Sequence, residues 1–437
     1  MLISNMKKNT IIVFLSLLLI AIPSCAKNEE LTDEHTSISD NCSISHAENN
    51  NDSSANTLSL FLTNYDTYQG TISSYNSPSH EINFKNIPFE NYDMELLTHL
   101  DDSDIFELVS TWDYNDYIKN NMMLDLSDYI DNSNTINKDD YMYDVIDNLT
   151  VDGKIYTLPK SFQITTLLVP EASLSGKTSW NVSDYLEFIK KYPNALSVDG
   201  DTKADIQTRM VYYATFYSDG EFIDISENKA DYTGPEFKNF LQTIKELDIT
   251  ISSQSTEERL SNGDVVILKA DLSDPSSLTE LECKTGTELY PIGFPSAKDE
   301  HSGAIIDYAD MFAISSKSNN PDEAWQFIEY FLNCSFILPG YAPTNSKTYS
   351  SIIENSLERE EFVRDNILYT PSTQKQVDKL ELAISTAHPV GEKQYTVRSI
   401  IVEEVQPYFM EQKTLDEVCE VIQSRIQLML DEGNMVY

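Results

Sequence analysis

Residues 58–62, with the sequence Leu-Ser-Leu-Phe-Leu, begin a series of short apolar runs and amphipathic segments that decides the fold class of this chain. A helical segment is predicted near 68–75, and two further strand-like runs follow at 81–84 (Glu-Ile-Asn-Phe) and 104–109 (Asp-Ile-Phe-Glu-Leu-Val). Short strands that alternate with helices favour α/β units with parallel strands. We therefore predict an α/β fold.

Polar and aromatic side chains follow two of these predicted strands. Asn64 and Tyr65 come directly after the first strand, and Trp112 and Asp113 come just after the third. In open sheets with parallel strands, ligands bind beyond the carboxyl ends of the strands. Topology alone therefore makes these four residues candidates for a ligand cleft.

Three helices in the second half of the chain carry recognisable start signals. Residues 233–236 (Thr-Gly-Pro-Glu) have the spacing of a capping box, 320–323 (Asn-Pro-Asp-Glu) place a proline in the first helical turn, and 414–417 (Thr-Leu-Asp-Glu) are predicted to begin the last helix. The apolar residues after each signal recur with helical spacing, which predicts one buried face. This spacing places Trp325 and Cys419 in the core.

The N-terminal segment has the layout of a secretory signal peptide. Lys7 and Lys8 precede an almost unbroken apolar run at 11–20, and a small residue stands directly before Cys25. A membrane-spanning helix needs about 20 apolar residues, and this run is about half that length. The segment resembles the bacterial lipobox, in which the cysteine is acylated and becomes the mature N-terminus, although Pro23 departs from the usual pattern. An uncleaved anchor helix is the alternative.

The stretch that follows Cys25 is polar and low in complexity, as in Asn-Asn-Asn-Asp-Ser-Ser at 49–54. Such a stretch cannot bury enough apolar surface to offset the entropy lost on ordering. We predict a signal peptide at 1–24, and a lipidated Cys25 with a flexible tether at 25–56. The folded part then lies outside the cytoplasm, anchored to the cell membrane.

Composition excludes some functions and leaves others open. The formal net charge is −41, from 30 basic and 71 acidic residues, and so acidic a surface repels nucleic acids and anionic lipids. Beyond Cys25, four cysteines remain without a CxxC pair, so the chain is not a disulfide scaffold. Cys419 is predicted to be a buried thiol, and a bridge between Cys283 and Cys334 stays open.

The sequence carries no recognisable catalytic motif. It lacks a GxSxG elbow, an HExxH pair and a P-loop, and its 13 glycines leave little room for phosphate-binding loops. The six histidines are scattered, so we predict no metal site and no cofactor. Carboxylate pairs are too common here to nominate a glycosidase site by spacing alone.

Several segments, taken together and in order, resemble the sugar-type (family 1) extracellular solute-binding proteins, which are the receptors of ATP-binding cassette importers. The segments that carry the resemblance are 123–130 (Met-Leu-Asp-Leu-Ser-Asp-Tyr-Ile), 151–159 (Val-Asp-Gly-Lys-Ile-Tyr-Thr-Leu-Pro), 221–224 with 230–237, 290–295, 312–317 with 320–328, and 413–417 with 423–426.

This resemblance implies a two-lobe, periplasmic-binding-protein-like α/β fold with hinge crossings and an interlobe ligand cleft. Lobe 1 would comprise 57–158 plus 302–341, and lobe 2 would comprise 159–301 plus 342–437. Tyr156 is expected to pack at the hinge. Aromatic faces suit the C–H surfaces of sugars, and carboxylates or amides suit their hydroxyl groups. We therefore expect aromatic platforms and polar partners in the cleft, namely Tyr65, Trp112, Tyr308 and Tyr341 with Asn64, Asp113 and Asp307.

The leading hypothesis is a lipid-anchored receptor that binds a carbohydrate, expected to be an oligosaccharide, and delivers it to the permease subunits of an ABC transporter. We expect a monomer without enzymatic activity, on the surface of a Gram-positive cell. Three alternatives remain: the same fold binding another solute such as a polyamine, a surface hydrolase or lyase acting on glycans, and a relative that serves as a signalling sensor.

Overall fold

The structure is a computed structural model that describes residues 56–63, 65–76, 80–111, 113–217, 219–224, 227–297 and 303–432. The predicted signal peptide, Cys25 and nearly all of the predicted tether lie outside these residues. Within them the strands, numbered in chain order, are β1 (Asn56–Leu62), β2 (His80–Asn86), β3 (Ile105–Glu107), β4 (Thr150–Val151), β5 (Lys154–Ile155), β6 (Ser161–Pro170), β7 (Ile223–Asp224), β8 (Lys229–Ala230), β9 (Leu268–Leu272), β10 (Leu289–Pro291), β11 (Ile305–Ala309), β12 (Phe312–Ile314), β13 (Ala342–Pro343), β14 (Phe362–Arg364) and β15 (Ile367–Tyr369).

The helices of the same residues are also numbered in chain order. They are α1 (Tyr65–Tyr75), α2 (Tyr92–His99), α3 (Tyr114–Lys119), α4 (Ser127–Asn132), α5 (Tyr143–Ile146), α6 (Val182–Lys191), α7 (Lys203–Ala214), α8 (Asp219–Phe222), α9 (Pro235–Glu246), α10 (Thr256–Ser261), α11 (Pro275–Thr285), α12 (Pro321–Asn333), α13 (Ser346–Glu358), α14 (Gln374–Ser385), α15 (Glu392–Phe409) and α16 (Leu415–Asp431).

The first sheet contains the three strands that the sequence predicts. β1 pairs in parallel with β2 on one side and with β3 on the other, and β12 joins β3 in antiparallel fashion. Residues Leu58, Leu60 and Leu62 of β1 pack against α1 and α12 in one core. The predicted α/β organisation with parallel strands is therefore confirmed for this sheet.

The second sheet is built around β6, the ten-residue strand at its centre. β9, β10, β11 and β13 all pair with β6 in antiparallel fashion. The chain passes between the two sheets three times, from β3 to β6, from β11 to β12 and from β12 to β13. The two sheets thus share several connections, while the exact limits of the two lobes stay a prediction.

Apolar side chains pack across these connections. A single core holds Phe61 and Phe106 from the first sheet together with Phe162 and Ile164 from the second, and Tyr156 packs partly buried against it. A separate core joins the other face of β6 to the helices α6, α7, α9, α15 and α16. Each sheet therefore has a core of its own and shares another at the crossings.

The predicted helix starts are confirmed at two positions and wrong at one. Thr414 caps α16 in a capping box with Glu417, and Pro321 opens the first turn of α12. The prediction of a capping box beginning at Thr233 is wrong. Pro235 occupies the first helical position, so Gly234 becomes the N-cap residue, which has no side chain that could accept a hydrogen bond.

The buried residues agree with the helical spacing. Trp325 and Cys419 both lie in apolar cores, as predicted. Cys283 and Cys334 are free thiols that are each partly exposed, so no bridge joins them in this structure.

A buried polar cluster lies where the chain crosses from one sheet to the other. The Glu107 carboxylate at the end of β3 is only 8% exposed. It accepts hydrogen bonds from the Thr63 backbone N–H at 2.7 Å, from the Thr63 hydroxyl at 3.0 Å and from the Tyr68 hydroxyl at 3.0 Å. Asp310, between β11 and β12, accepts a hydrogen bond from the Ser161 hydroxyl at 2.8 Å. The bonds to Glu107 tie β1, β3 and α1 together, and the bond to Asp310 ties the β11–β12 connection to the start of β6.

Both carboxyl groups of this cluster hold protons more tightly than usual. Burial is the largest cause that raises the pKa of Glu107, and the charge of Asp310 raises it further. Burial likewise raises the pKa of Asp310, against the opposing hydrogen bond of Ser161 and the charge of Lys160. A buried carboxylate is costly even when it is hydrogen-bonded. Ionisation of the cluster therefore reduces the stability of the crossing.

We predict that Glu107→Gln removes a pH dependence of stability. A carboxyl group whose pKa is raised on folding stabilises the native state most fully below its unfolded pKa, about 4.3 for glutamate, and loses that contribution as pH rises to the raised value. The free energy of unfolding of the wild type, relative to Glu107→Gln, should therefore fall with rising pH by up to about 1.4 kcal/mol per pH unit within that window and then level off.

Urea unfolding at a series of pH values measures this difference. The exposed Glu90→Gln serves as the matched control and should give a difference that varies little with pH. A flat or rising difference for Glu107→Gln would show that burial does not raise the pKa of this group.

Candidate functional site

Two of the predicted site residues meet on the second sheet. The Tyr341 hydroxyl donates a hydrogen bond to the Asp307 carboxylate at 2.6 Å. The Gln163 side-chain amide lies beside both residues, 3.3 Å from the same carboxylate oxygen and 3.1 Å from the Tyr341 hydroxyl. We call Gln163, Asp307 and Tyr341 the cleft cluster.

The strand register explains why these side chains meet. On β6, Gln163 and Thr165 point to one side, while Phe162 and Ile164 point to the opposite side and enter the core. Asp307 of β11 lies directly opposite Gln163. Tyr341 immediately precedes β13, which pairs with β6 along its other edge. The central strand therefore brings together side chains from both of its neighbours.

A second carboxylate lies on the same face. Asp271 of β9 is paired with Thr165 of β6, and the Thr165 hydroxyl donates a hydrogen bond to it at 2.5 Å. Asp307 and Asp271 lie on opposite sides of β6, and neither forms an ion pair within 4.0 Å with a basic side chain of the described residues. The part of this face around Gln163 and Thr165 is therefore polar and negatively charged, whereas Leu167 and Val169 further along the strand are buried.

Burial and the neighbouring carboxylates both raise the pKa of Tyr341. Burial is the largest cause that raises the pKa of the Tyr341 phenol, followed by its hydrogen bond to Asp307 and the charges of Asp307, Asp271 and Asp310. The hydroxyl group therefore remains a hydrogen-bond donor at all physiological pH values. Asp307 is exposed and Tyr341 is partly exposed, so both can contact a ligand.

Tyr308 does not join its neighbour Asp307. Both residues lie within β11, and adjacent residues of a strand face opposite sides of the sheet. The Tyr308 side chain is 4% exposed and its hydroxyl donates a hydrogen bond to the Val145 carbonyl at 2.6 Å. In this structure its ring offers no surface to a ligand.

Two further candidates, Tyr65 and Asp113, follow strands of the first sheet. The Tyr65 ring stacks on Phe84 with a centroid distance of 3.7 Å, and its backbone N–H donates to the Asn86 side chain at 3.1 Å. Asp113 is partly buried and forms the N-cap of α3. Because β1 and β3 are parallel neighbours, Tyr65 and Asp113 follow the same edge of the sheet. Asn64 and Trp112 lie outside the described residues.

Sequence reasoning missed Gln163, Thr165, Asp271 and the buried Glu107. One signal for the first two was present, because Ser-Phe-Gln-Ile-Thr at 161–165 alternates polar and apolar residues as a half-exposed strand does. No local pattern marks Asp271 or Glu107, because the surroundings of each residue are set by the strand that pairs with its own.

The described residues contain no group of three or more histidine, cysteine, aspartate or glutamate side chains arranged to hold a metal ion. Among the same residues, no helix combines the length and the apolar character needed to cross a membrane.

Solved structures share this fold at low sequence identity. The sugar-binding protein MalE from Xanthomonas citri aligns with a TM-score of 0.55 and 13% identity, over 87% of this chain and 98% of that protein. A sugar transporter protein from Rhizobium etli gives a TM-score of 0.52 and 16% identity, over 85% and 99% of the two chains. An ABC substrate-binding protein from Listeria monocytogenes, in complex with cycloalternan, aligns with a TM-score of 0.51 and 13% identity, over 86% of this chain and 99% of that protein. The predicted two-lobe, periplasmic-binding-protein-like fold is thereby confirmed.

Comparison with curated protein sequences finds no match. A family profile described as bacterial extracellular solute-binding protein matches residues 80–346, which is more than half of the chain. The matched region includes β2, β3, the whole second sheet and α12. The chain therefore belongs to the bacterial extracellular solute-binding proteins.

Proposed function

We propose that this protein binds a carbohydrate between its two lobes and delivers it to the permease of an ABC transporter. The observation that carries the proposal is the cleft cluster, in which a carboxylate, an amide and a phenol lie together on an accessible face. Sugars offer hydroxyl groups that both donate and accept hydrogen bonds. Asp307 supplies an acceptor and Gln163 supplies the carbonyl oxygen of its amide, while Tyr341, whose hydroxyl donates to Asp307, supplies an aromatic face beside them.

The hydrogen bonds within the cluster position it for a ligand. Tyr341 and Gln163 both point toward the same oxygen of Asp307, so the other carboxylate oxygen has capacity for a sugar hydroxyl. Hydrogen bonds to a charged acceptor are stronger than those between neutral groups. An oligosaccharide fits this proposal because Tyr65, Asp113 and the neighbouring first-sheet edge would contact further sugar units. Lobe closure then requires a ligand that binds the closed state more tightly.

A polyamine is the second candidate ligand. The specific observation that favours it is the pair of carboxylates, Asp307 and Asp271, which lack an ion-pair partner within the described residues. Two negative charges on either side of β6 would attract a ligand with separated amines. We propose a binding protein in either case, without catalytic activity of its own.

The location proposed for the protein follows from its N-terminal sequence. Cys25 would carry the lipid, and residues 26–56 would give the lobes reach from the membrane to the permease. A monomeric receptor on a cell without an outer membrane would otherwise diffuse away from its transporter. The same anchor would serve a sensor, and a permease gene beside this one would favour transport.

We predict that Tyr341→Ala and Asp307→Asn each weaken sugar binding. For the tightest-binding member of a panel of mono- and oligosaccharides, Asp307→Asn should raise Kd about tenfold, because one charge-assisted hydrogen bond is lost. Tyr341→Ala should raise Kd by about as much or more, because it removes both the hydroxyl that orients Asp307 and an aromatic face. Isothermal titration calorimetry measures both.

Asp365→Asn is the matched control, since it removes one exposed carboxylate in the β14–β15 turn and leaves the second sheet unchanged. Spermidine belongs in the same panel. Binding of spermidine but of no sugar would favour the polyamine ligand, and binding of neither would exclude both proposals.

We predict that Cys25→Ala releases the protein from the membrane without changing ligand binding, because the thiol is the acylation site and lies outside the folded lobes. Fractionation of expressing cells measures how much protein stays with the membrane, and metabolic labelling with a fatty acid shows whether the protein carries the lipid. Cys42→Ala is the matched control in the same segment and should stay membrane-bound. Retention of the Cys25→Ala protein in the membrane fraction would instead indicate an uncleaved anchor helix.

A further inference from the structure

A small cavity lies between β6 and α14, apart from the residues of the cleft cluster. Its volume is about 230 Å³, and it is bounded by β6, the chain after β10, the start of β11 and the last turns of α14. Some of its lining residues are buried, among them Thr166, Ala304 and Ala383, while Thr178 and Leu382 are exposed. The cavity therefore reaches from the surface into the interior. We call it the α14 cavity.

The cavity lies where the strands β10 and β11 separate. β11 pairs with β6 as far as Thr165, and β10 pairs with it only from Leu168 onward. Both strands use the same edge of β6, because β9 occupies the opposite edge from Ile164 to Leu168. Along the edge that β10 and β11 share, Thr166 is therefore outside both strand pairings, at the point where the sheet divides.

Strand alternation turns the Thr166 side chain toward α14. Ile164 and Leu168, two residues away on either side, pack in one core with residues of α14. Leu167 belongs to the core on the opposite face of β6. Because alternate residues of a strand share a face, the Thr166 side chain points to the side of Ile164 and Leu168. Thr166 of β6 and Ala383 of α14 both line the cavity on that side.

The Thr166 hydroxyl is a buried polar group without a hydrogen-bond partner among the described residues. The residue is 0% exposed, and its Oγ1 atom has no donor or acceptor within reach. Buried hydroxyl groups normally bond to protein or to a bound molecule, since an unpaired polar group in the interior is costly. Because Thr166 faces the cavity, a molecule held there would supply the partner.

Hydrogen bonds hold the walls of the cavity in place. The His388 backbone N–H, just beyond α14, donates to the Ala304 carbonyl at 3.0 Å and joins the end of this helix to the start of β11. On the other side, Trp180 follows the lining residue Ser179, and its indole N–H donates to the Gly293 carbonyl at 2.9 Å. The cavity is therefore formed before a ligand binds.

The chemistry of the lining favours an uncharged ligand. The described lining residues comprise four with hydroxyl groups, one glycine and five apolar residues, and none of them is charged. The Thr386 hydroxyl donates to the Leu382 carbonyl at 3.2 Å, so its oxygen can still accept a hydrogen bond. A buried charge without a counter-charge is unfavourable. Since a cavity of about 150 Å³ can hold benzene, this one has room for a chain of about four to six carbon atoms.

We propose that the α14 cavity is a second ligand site, which takes a small uncharged polyol. One hydroxyl group of the polyol would pair with the Thr166 hydroxyl, and its carbon chain would pack against Pro291, Ala304 and Ala383. A purely apolar molecule would leave Thr166 unpaired, and a charged molecule would lack a counter-charge. The site is independent of the carbohydrate proposed to bind between the lobes.

Erythritol, a short polyol, is the probe, and the threonine methyl resonances of methyl-labelled protein report its binding. We expect a saturable shift of the Thr166 resonance, which is identified by its absence in Thr166→Val. Erythronate and 1-amino-1-deoxyerythritol add a negative or a positive charge to the same carbon chain. Each should bind at least about tenfold more weakly, in salt that screens the net charge of the protein. An unshifted Thr166 resonance, as expected if the cavity holds only water, or equal binding of either charged analogue would overturn the proposal.

Thr166→Val replaces the hydroxyl with a methyl group of nearly the same shape. With the Thr386 methyl resonance as the reporter, its Kd for erythritol should rise about tenfold. The midpoint of its urea unfolding should not fall, because the hydroxyl has no partner to lose. Thr208→Val is the matched control, since its Oγ1 atom on α7 is also buried without a partner among the described residues but lies outside the cavity lining. Unchanged binding in Thr166→Val, or a large loss of stability, would contradict the inference.

One further variant separates this site from the cleft cluster. Asp307→Asn, which should weaken sugar binding between the lobes, should leave the erythritol-induced shift of Thr166 unchanged. Loss of that shift in Asp307→Asn would place the polyol on the cleft cluster and overturn the inference. If no sugar bound between the lobes while erythritol still shifted Thr166, the proposed function would be wrong and the α14 cavity would be supported by its own result.

Discussion

The pairing of β6 with four neighbouring strands is the constraint on which most of this molecule depends. A strand that is central in its sheet must satisfy hydrogen bonds on both edges and place side chains on two faces. In β6 one face supplies Phe162 and Ile164 to the core shared by both sheets, while the other carries Gln163 and Thr165 of the candidate site. A register shift by one residue would exchange these two sets. The core and the candidate site are therefore specified by the same pairing.

The crossings beside β6 combine apolar and ionisable groups. Lys160, directly before β6, is buried, donates a hydrogen bond to the Phe331 carbonyl at 2.7 Å and lies 4.5 Å from that ring. Burial raises the pKa of Glu107, and Asp310 lies close enough that its charge raises it further. Groups like these cost free energy when they are buried, but removing one partner leaves the others uncompensated. The hydrogen bonds of Lys160 and Asp310 therefore fix how the chain passes from one sheet to the other.

The many carboxylates of this chain have different roles at different positions. On the second sheet, the exposed Asp307 accepts hydrogen bonds from Gln163 and Tyr341. Beside α12, the Glu329 carboxylate is oriented by hydrogen bonds from the Ser133 and Thr135 hydroxyl groups. Elsewhere, carboxylates such as Glu417 cap helices, where hydrogen bonds from Thr414 lower the pKa. Net charge alone distinguishes none of these roles.

The sequence by itself determined the features that depend on neighbouring residues in the chain. It predicted the strands β1 to β3, the start of α16 at Thr414 and the burial of Cys419, because periodicity and capping act over a few residues. Even there, Thr233 was wrongly assigned as a cap because Pro235 moved the helix start by one residue. The tertiary structure alone decided that Gln163 lies beside Asp307 and Tyr341, which are 144 and 178 residues away. It also decided that Tyr308 is buried while Asp307 is exposed, because strand pairing, which the local sequence does not encode, sets the face that each residue occupies.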